Sequence, residues 1–68
     1  MKEVFRTNLI NEYMKEKGLS KTQFCKECKI NIVSLNKILT NDFDIDLKVI
    51  FKICKILKTP VNLFFENV

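Results

Sequence analysis

The residues of this chain best suited to chemistry are three cysteines and a run of aspartates. Cys25-Lys26-Glu27-Cys28 has the CxxC spacing of zinc ligands and redox thiols. A zinc site needs about four ligands, and the chain offers one further cysteine, Cys54, and no histidine. A thioredoxin-like motif requires a βαβ setting, which the flanking sequence does not provide. Spacing of i, i+3 on one face of a helix makes Cys25 and Cys28 ordinary core residues. Asp42, Asp44 and Asp46 lie in a turn, where helix capping accounts for Asp46. Without a histidine or a glycine-rich phosphate loop, no enzyme, metal, cofactor or small-molecule ligand is expected.

Charge is the more informative feature. The formal net charge is +4, but it is unevenly placed. Between Lys17 and Asn41 stand five lysines (17, 21, 26, 29 and 37) against Glu27 alone, and Asp42 to Asp46 then holds three aspartates and no base. A basic patch beside an acidic turn is an electrostatic footprint for a polyanion. A solvated lysine-rich surface is the plainer alternative.

Length and composition bound the scaffold. Sixty-eight residues, 47% of them apolar with one Gly and one Pro, predict a single compact helical domain over residues 1–68. No apolar run approaches the roughly 20 residues of a membrane span, and Met1-Lys2-Glu3 begins no signal peptide. An odd cysteine count fits a reducing cytoplasm.

The elements that position these residues follow from caps and periodicity. A first helix is expected from about Val4 to Lys17, with Phe5, Leu9, Ile10, Tyr13 and Met14 inward and Gly18 as its left-handed terminus. Ser20 and Gln23 have capping-box spacing, and Leu19 and Phe24 flank them as a hydrophobic staple. Phe24, Cys25 and Cys28 then face the core. Asn31 caps a third helix stapled by Ile30 and Leu35, whose inner face is Leu35, Ile38 and Leu39. Ile32, Val33, Ser34, Asn36 and Lys37 are left pointing outward.

Asn41 tolerates the left-handed conformation that ends that helix, and Asp42–Ile45 reads as a polar, alternating turn. Asp46 caps a fourth helix over Leu47–Leu57, with Ile45 and Ile50 as staple. Its inner stripe is expected to be Leu47, Ile50, Phe51, Cys54 and Leu57. Val49, Ile53 and Ile56 form a second apolar stripe, wider than a small monomer needs. Thr59-Pro60 reads as a cap with proline at the first helical position, opening a fifth helix through Leu63, Phe64 and Phe65.

This order of helices and caps resembles the helix-turn-helix family of the lambda and 434 repressors and Cro, the XRE type, from about Leu9 to Phe65. The segment GLSKTQFCKECKINIVSLNKILTN is similar to the family's glycine-leucine-serine entry, apolar-small pair, turn and second helix. Phe24-Cys25 stand where the family has Leu-Ala, Ile30-Asn31 where it has Val-Ser, and Asn41 where it often has Gly. LKVIFKICKILKTPVNLFF resembles the closing helix pair.

Three departures stand out. Lys29 replaces the usual turn glycine, which implies a lysine at positive φ at a cost of about 1 kcal/mol. Met14 and Leu39 replace an Arg–Glu ion pair together, a wholesale exchange for apolar residues that is often neutral. Ile32-Val33 open the outer face where Gln, Arg or Ser is common.

The resemblance implies an all-α, five-helix domain and a small bacterial or phage regulator, a repressor, that places its third helix in the major groove of double-stranded DNA. Carried over by position, Lys21 would meet a phosphate, and Asn31, Ile32, Val33, Ser34 and Lys37 would face base edges. Asn36 would lie toward the backbone side, and Asn41 would offer its amide or side chain to a phosphate. Ile32 and Val33 suit thymine methyls or, alternatively, a partner protein. One such helix cannot select a single locus, so a homodimer is expected through Val49, Ile53 and Ile56 with Val61, Leu63, Phe64 and Phe65. Rival readings are an antirepressor-like interaction module and, among DNA binders, an antitoxin or excisionase.

Overall fold

The structure, a computed structural model, describes residues 2–68. In chain order it runs β1 (Glu3–Phe5), α1 (Thr7–Lys17), α2 (Lys21–Cys28), α3 (Ile32–Leu39), α4 (Leu47–Leu57), a 3-10 turn at Val61–Leu63, and β2 (Phe65–Asn67). Four α-helices and one two-stranded ladder thus stand in place of the expected all-α, five-helix arrangement.

Both ends of the chain depart from the expected helices for one reason: they pair with each other. β1 and β2 are antiparallel, with Glu3 opposite Asn67, Val4 opposite Glu66 and Phe5 opposite Phe65. Lys2 and Val68 extend the ladder with two reciprocal bonds, and the Arg6 N–H donates to the Phe64 carbonyl at 2.8 Å. This pairing satisfies backbone groups that a first helix starting at Val4 would otherwise have used, so α1 starts at Thr7. Phe5 is still buried, but from a strand. At the other end Thr59 does not cap forward; its hydroxyl donates back to the Leu57 carbonyl at 3.2 Å. Pro60 is extended (ψ 143°), and the chain makes one 3-10 turn before entering β2.

The local caps form where the spacing places them. Ser20 Oγ accepts from the Gln23 N–H at 3.2 Å, and Gln23 Oε1 accepts from the Ser20 N–H at 2.8 Å. Asn31 Oδ1 and Asp46 Oδ1 accept from Val33 and Lys48 N–H groups at 2.7 and 2.9 Å. Three helices end alike, with a left-handed residue after the last turn: Gly18 after α1, Lys29 after α2 and Lys58 after α4 (φ 65°, 58° and 55°). In each, the next residue's N–H reaches back to a carbonyl five residues earlier, from Leu19 to Met14, Ile30 to Cys25 and Thr59 to Cys54. This is the Schellman closure of orphan carbonyls, and only one of the three sites has the glycine that makes it cheap.

Ile10, Phe24, Leu35, Ile38, Ile50, Ile53 and Phe64 are the fully buried centre, with Phe5 and the three cysteines around them. Met14 and Leu39 pack against this core, in keeping with their joint apolar exchange. α4 is rotated relative to expectation. Ile50, Ile53, Cys54 and Leu57 turn inward, themselves an i, i+3, i+4, i+7 set, while Leu47 and Phe51 are 60% and 52% exposed. Ile53 and Phe64, expected on a dimer surface, have no exposed surface at all. Val49, Ile56, Val61 and Phe65 are half-buried against the core. Apolar residues on both flanks of α4 left its inward direction undetermined by periodicity; packing against α1 and α2 settles it.

Backbone strain at the left-handed lysines is directly measurable. Lys29→Gly is expected to stabilise the fold by about 0.5–1 kcal/mol, read as a raised denaturant midpoint, and Lys58→Gly by a similar amount. A lowered midpoint at both sites would mean that lysine side-chain packing outweighs the backbone term.

Candidate nucleic-acid interface

α2 and α3 are each eight residues long and meet at the Lys29–Asn31 turn. The turn is fixed from three sides. Lys29 and Ile30 close α2 through the carbonyls of Lys26 and Cys25, and Asn31 opens α3 through its cap. Lys52 of α4 donates its ammonium to the Lys29 carbonyl at 3.3 Å. α3 therefore leaves the turn in a defined direction, with Leu35 and Ile38 inward.

Its opposite face is open. Ile32 and Val33 are 40% and 57% exposed, Asn31 and Asn36 are exposed, and Ser34 and Lys37 are half-buried at the edge. Lys21, the first residue of α2, is exposed as well. Asn31 uses Oδ1 for the cap and keeps its amide nitrogen as a donor. At the far end of α3, Thr40 donates its N–H and hydroxyl to the Asn36 and Lys37 carbonyls, and the Asp42 N–H also donates to Lys37. These bonds satisfy carbonyl oxygens that would otherwise present the negative end of the helix dipole to solvent.

Two expected contact residues have partners inside the protein. Asn41 is left-handed (φ 58°), as expected, but its N–H donates to Ile38 and its Oδ1 accepts from the Phe5 N–H at 2.9 Å. Only its amide nitrogen is left to offer a phosphate. The Asn41 side chain thus ties β1 to the end of α3. Lys37 extends its ammonium to the Asp44 carbonyl at 3.2 Å and lies 4.0 Å from the Asp44 carboxylate.

The Asp42–Ile45 turn is more ordered than its polarity suggests. Asp42 Oδ1 accepts from the Asp44 N–H at 2.9 Å, and Phe43 stacks on Phe5 with ring centroids 4.3 Å apart. Sequence reasoning missed Phe43 and Asp44. The Asp42–Asp44 spacing is the same i, i+2 Asx pattern that caps α3 and α4, so half of that turn could have been found.

Cys25, Cys28 and Cys54 are buried and unpaired. Burial pushes all three thiols up, and Cys28 reaches about 12 with Cys25 and Glu27 adding to the effect. At neutral pH none is a thiolate, the form that binds metal or attacks disulfides. Among the described residues no cluster of Cys, Asp or Glu could hold a metal ion.

Two capped helices held across a rigid turn, the second with an uncommitted polar–apolar face, define a helix-turn-helix domain. A family model described as Helix-turn-helix matches residues 10–64, and the chain belongs to that family, the XRE type of Cro and the phage repressors, whose members are DNA-binding regulators. The matched region runs from α1 to the 3-10 turn and leaves out both strands of the ladder. No curated protein matches the chain. No helix among the described residues is long and apolar enough to cross a membrane.

The raised thiol of Cys28 makes stability fall with alkali. The unfolded thiol ionises near its ordinary value of about 9, whereas the folded one holds its proton to about 12, so rising pH favours the unfolded state between those limits. The denaturant midpoint of the wild type is expected to drop more between pH 8 and pH 10.5 than that of Cys28→Ala. Parallel curves would mean that Cys28 ionises alike in both states.

Proposed function

We propose that the chain is a small bacterial or phage repressor that binds specific double-stranded DNA in the cytoplasm, as a dimer, with α3 in the major groove. The observation that carries this reading is the open face of α3: Asn31, Ile32, Val33, Asn36 and Lys37 all lie outside the core on a helix held rigidly by its turn. Chemically the face can read bases. The Asn31 amide is a donor, Ile32 and Val33 fit thymine methyls, and a lysine at 37 can reach guanine O6 and N7. Lys21, at the N-terminus of α2, would meet a phosphate where the helix dipole also favours the anion.

One observation favours a second reading. Two exposed apolar residues opening α3 would also suit a protein partner, as in an antirepressor-like module. Salt separates the two. DNA affinity falls steeply with salt in proportion to the phosphates contacted, whereas an apolar protein contact does not. Selection from a random duplex pool, followed by binding at two salt concentrations, tests the reading. On the selected site Lys21→Ala should weaken all sequences about equally, whereas Lys37→Ala should also change the preferred bases. Equal, sequence-blind losses from both would remove Lys37 from base reading.

Dimerisation follows from selectivity. One recognition helix reads roughly four or five base pairs, against on the order of a million competing sites in a genome. Two half-sites about one DNA turn apart supply the missing discrimination. With Ile53 and Phe64 in the core, the apolar surface for a partner moves to Leu47 and Phe51 on α4 and Leu63 in the 3-10 turn. Phe51→Lys is expected to give a folded monomer with weak DNA affinity by ultracentrifugation and circular dichroism. A wild type that stays monomeric at high concentration, with and without DNA, would end the dimer proposal. Ile53→Lys, by contrast, should unfold the chain, because it buries a charge without a partner.

A further inference from the structure

We infer that Asp44 is an affinity-setting residue, an intramolecular competitor that holds the Lys37 ammonium against the polyanion, an inference that rests on the DNA reading of α3. Two side-chain ion pairs exist among the described residues, Arg6–Glu66 and Lys37–Asp44. Lys37 is therefore the one lysine of α2 and α3 in such a pair among the described residues. It is also the one lysine within α3 itself.

Asp42 Oδ1 holds the Asp44 N–H, and Asp46 Oδ1 caps α4. The Asp44 carboxylate accepts no backbone hydrogen bond among the described residues, and its side chain is 96% exposed. Its partner is Lys37.

The position of the competitor is fixed. The Asp42 N–H is anchored on the Lys37 carbonyl at 2.8 Å, the Asx turn orients Asp44, and Phe43 is stacked on Phe5 between them. The Asp44 carbonyl is thus presented to Lys37 by a braced loop, with the carboxylate 4.0 Å from the ammonium. A free lysine on this face would pass to any phosphate in reach, a contact without sequence information. Paired, it must first leave a carboxylate, which then stands uncompensated beside the DNA backbone. Exposed pairs of this kind are weak, which here amounts to roughly a two- to fivefold factor in affinity.

Four proteins test this on one probe, a random-sequence duplex followed by fluorescence anisotropy over a salt series: wild type, Asp44→Asn, Lys37→Ala and the double variant. Asn keeps the backbone contacts and the shape of the loop, and an unchanged circular dichroism midpoint verifies folding. Asp44→Asn is expected to bind roughly two- to fivefold tighter than wild type. Its salt slope should be steeper by up to about 0.9, the release of one more phosphate's counterion. In the Lys37→Ala background the same change should give a clearly smaller gain. An equal gain in both backgrounds, or none in either, overturns the inference while leaving DNA binding intact. Absence of salt-dependent binding in all four overturns the DNA reading and this inference with it.

Discussion

At Lys29 the chain leaves α2 in the left-handed region, and the direction of α3 depends on that one residue. The closure of α2 through Cys25 and Lys26, the staple residue Ile30 and the cap at Asn31 all fall within the seven positions from 25 to 31. Lys52 braces the turn from α4 by donating to the Lys29 carbonyl. The face that α3 presents is set by this junction rather than by the outward residues themselves, which make few bonds of their own. A side chain that costs about 1 kcal/mol in backbone strain is tolerated because the surrounding bonds leave the chain no other path.

What could be read from the sequence was what depends on near neighbours. Ser20 and Gln23, Asn31 and Asp46 lie within three residues of the amides they cap, so their spacing was sufficient. Gly18 and Lys29 were legible for the same reason. The ladder was not, because Val4 and Glu66 stand more than sixty residues apart and each segment alone is compatible with a helix. Phe43 in a polar turn makes sense only beside Phe5, a contact across 38 residues. On α4 the stripe of Leu47 and Phe51 and that of Val49, Ile53 and Ile56 flank the same central residues. Period alone cannot choose between them, and the surface proposed for a partner moved accordingly. Lys58 was hidden by Thr59-Pro60, which looks like the start of a helix rather than the end of one.

The candidate interface shows the same division. Exposure of Asn31, Ile32, Val33 and Asn36 followed from the inner face of a short helix, which the apolar spacing of Leu35 and Ile38 fixes. The partner of Asn41 did not follow, since Phe5 meets α3 only through the tertiary fold, and that of Lys37 did not because the course of the turn carrying Asp44 is not set by its polar pattern. Asn41 links the end of α3 to β1, and β1 is outside the region shared with the family. The Asn41 hydrogen bond, together with Phe5 in the shared core, therefore couples the ladder to the helix, although none of its residues belongs to the outward face.

That ladder also closes a loop around the helices. α2 and α3 meet over a short separation, whereas α4 packs on α1 from forty residues further along the chain. Joining residue 2 to residue 68 closes the longest loop the chain contains, but loop entropy grows only with the logarithm of length, so this costs only about 1–2 kcal/mol more than a loop a fifth as long. The stacked rings of Phe5, Phe43, Phe64 and Phe65 supply apolar contacts on the same spot that offset it. The two paired segments thus fasten the residues between them into a ring closed by a clasp.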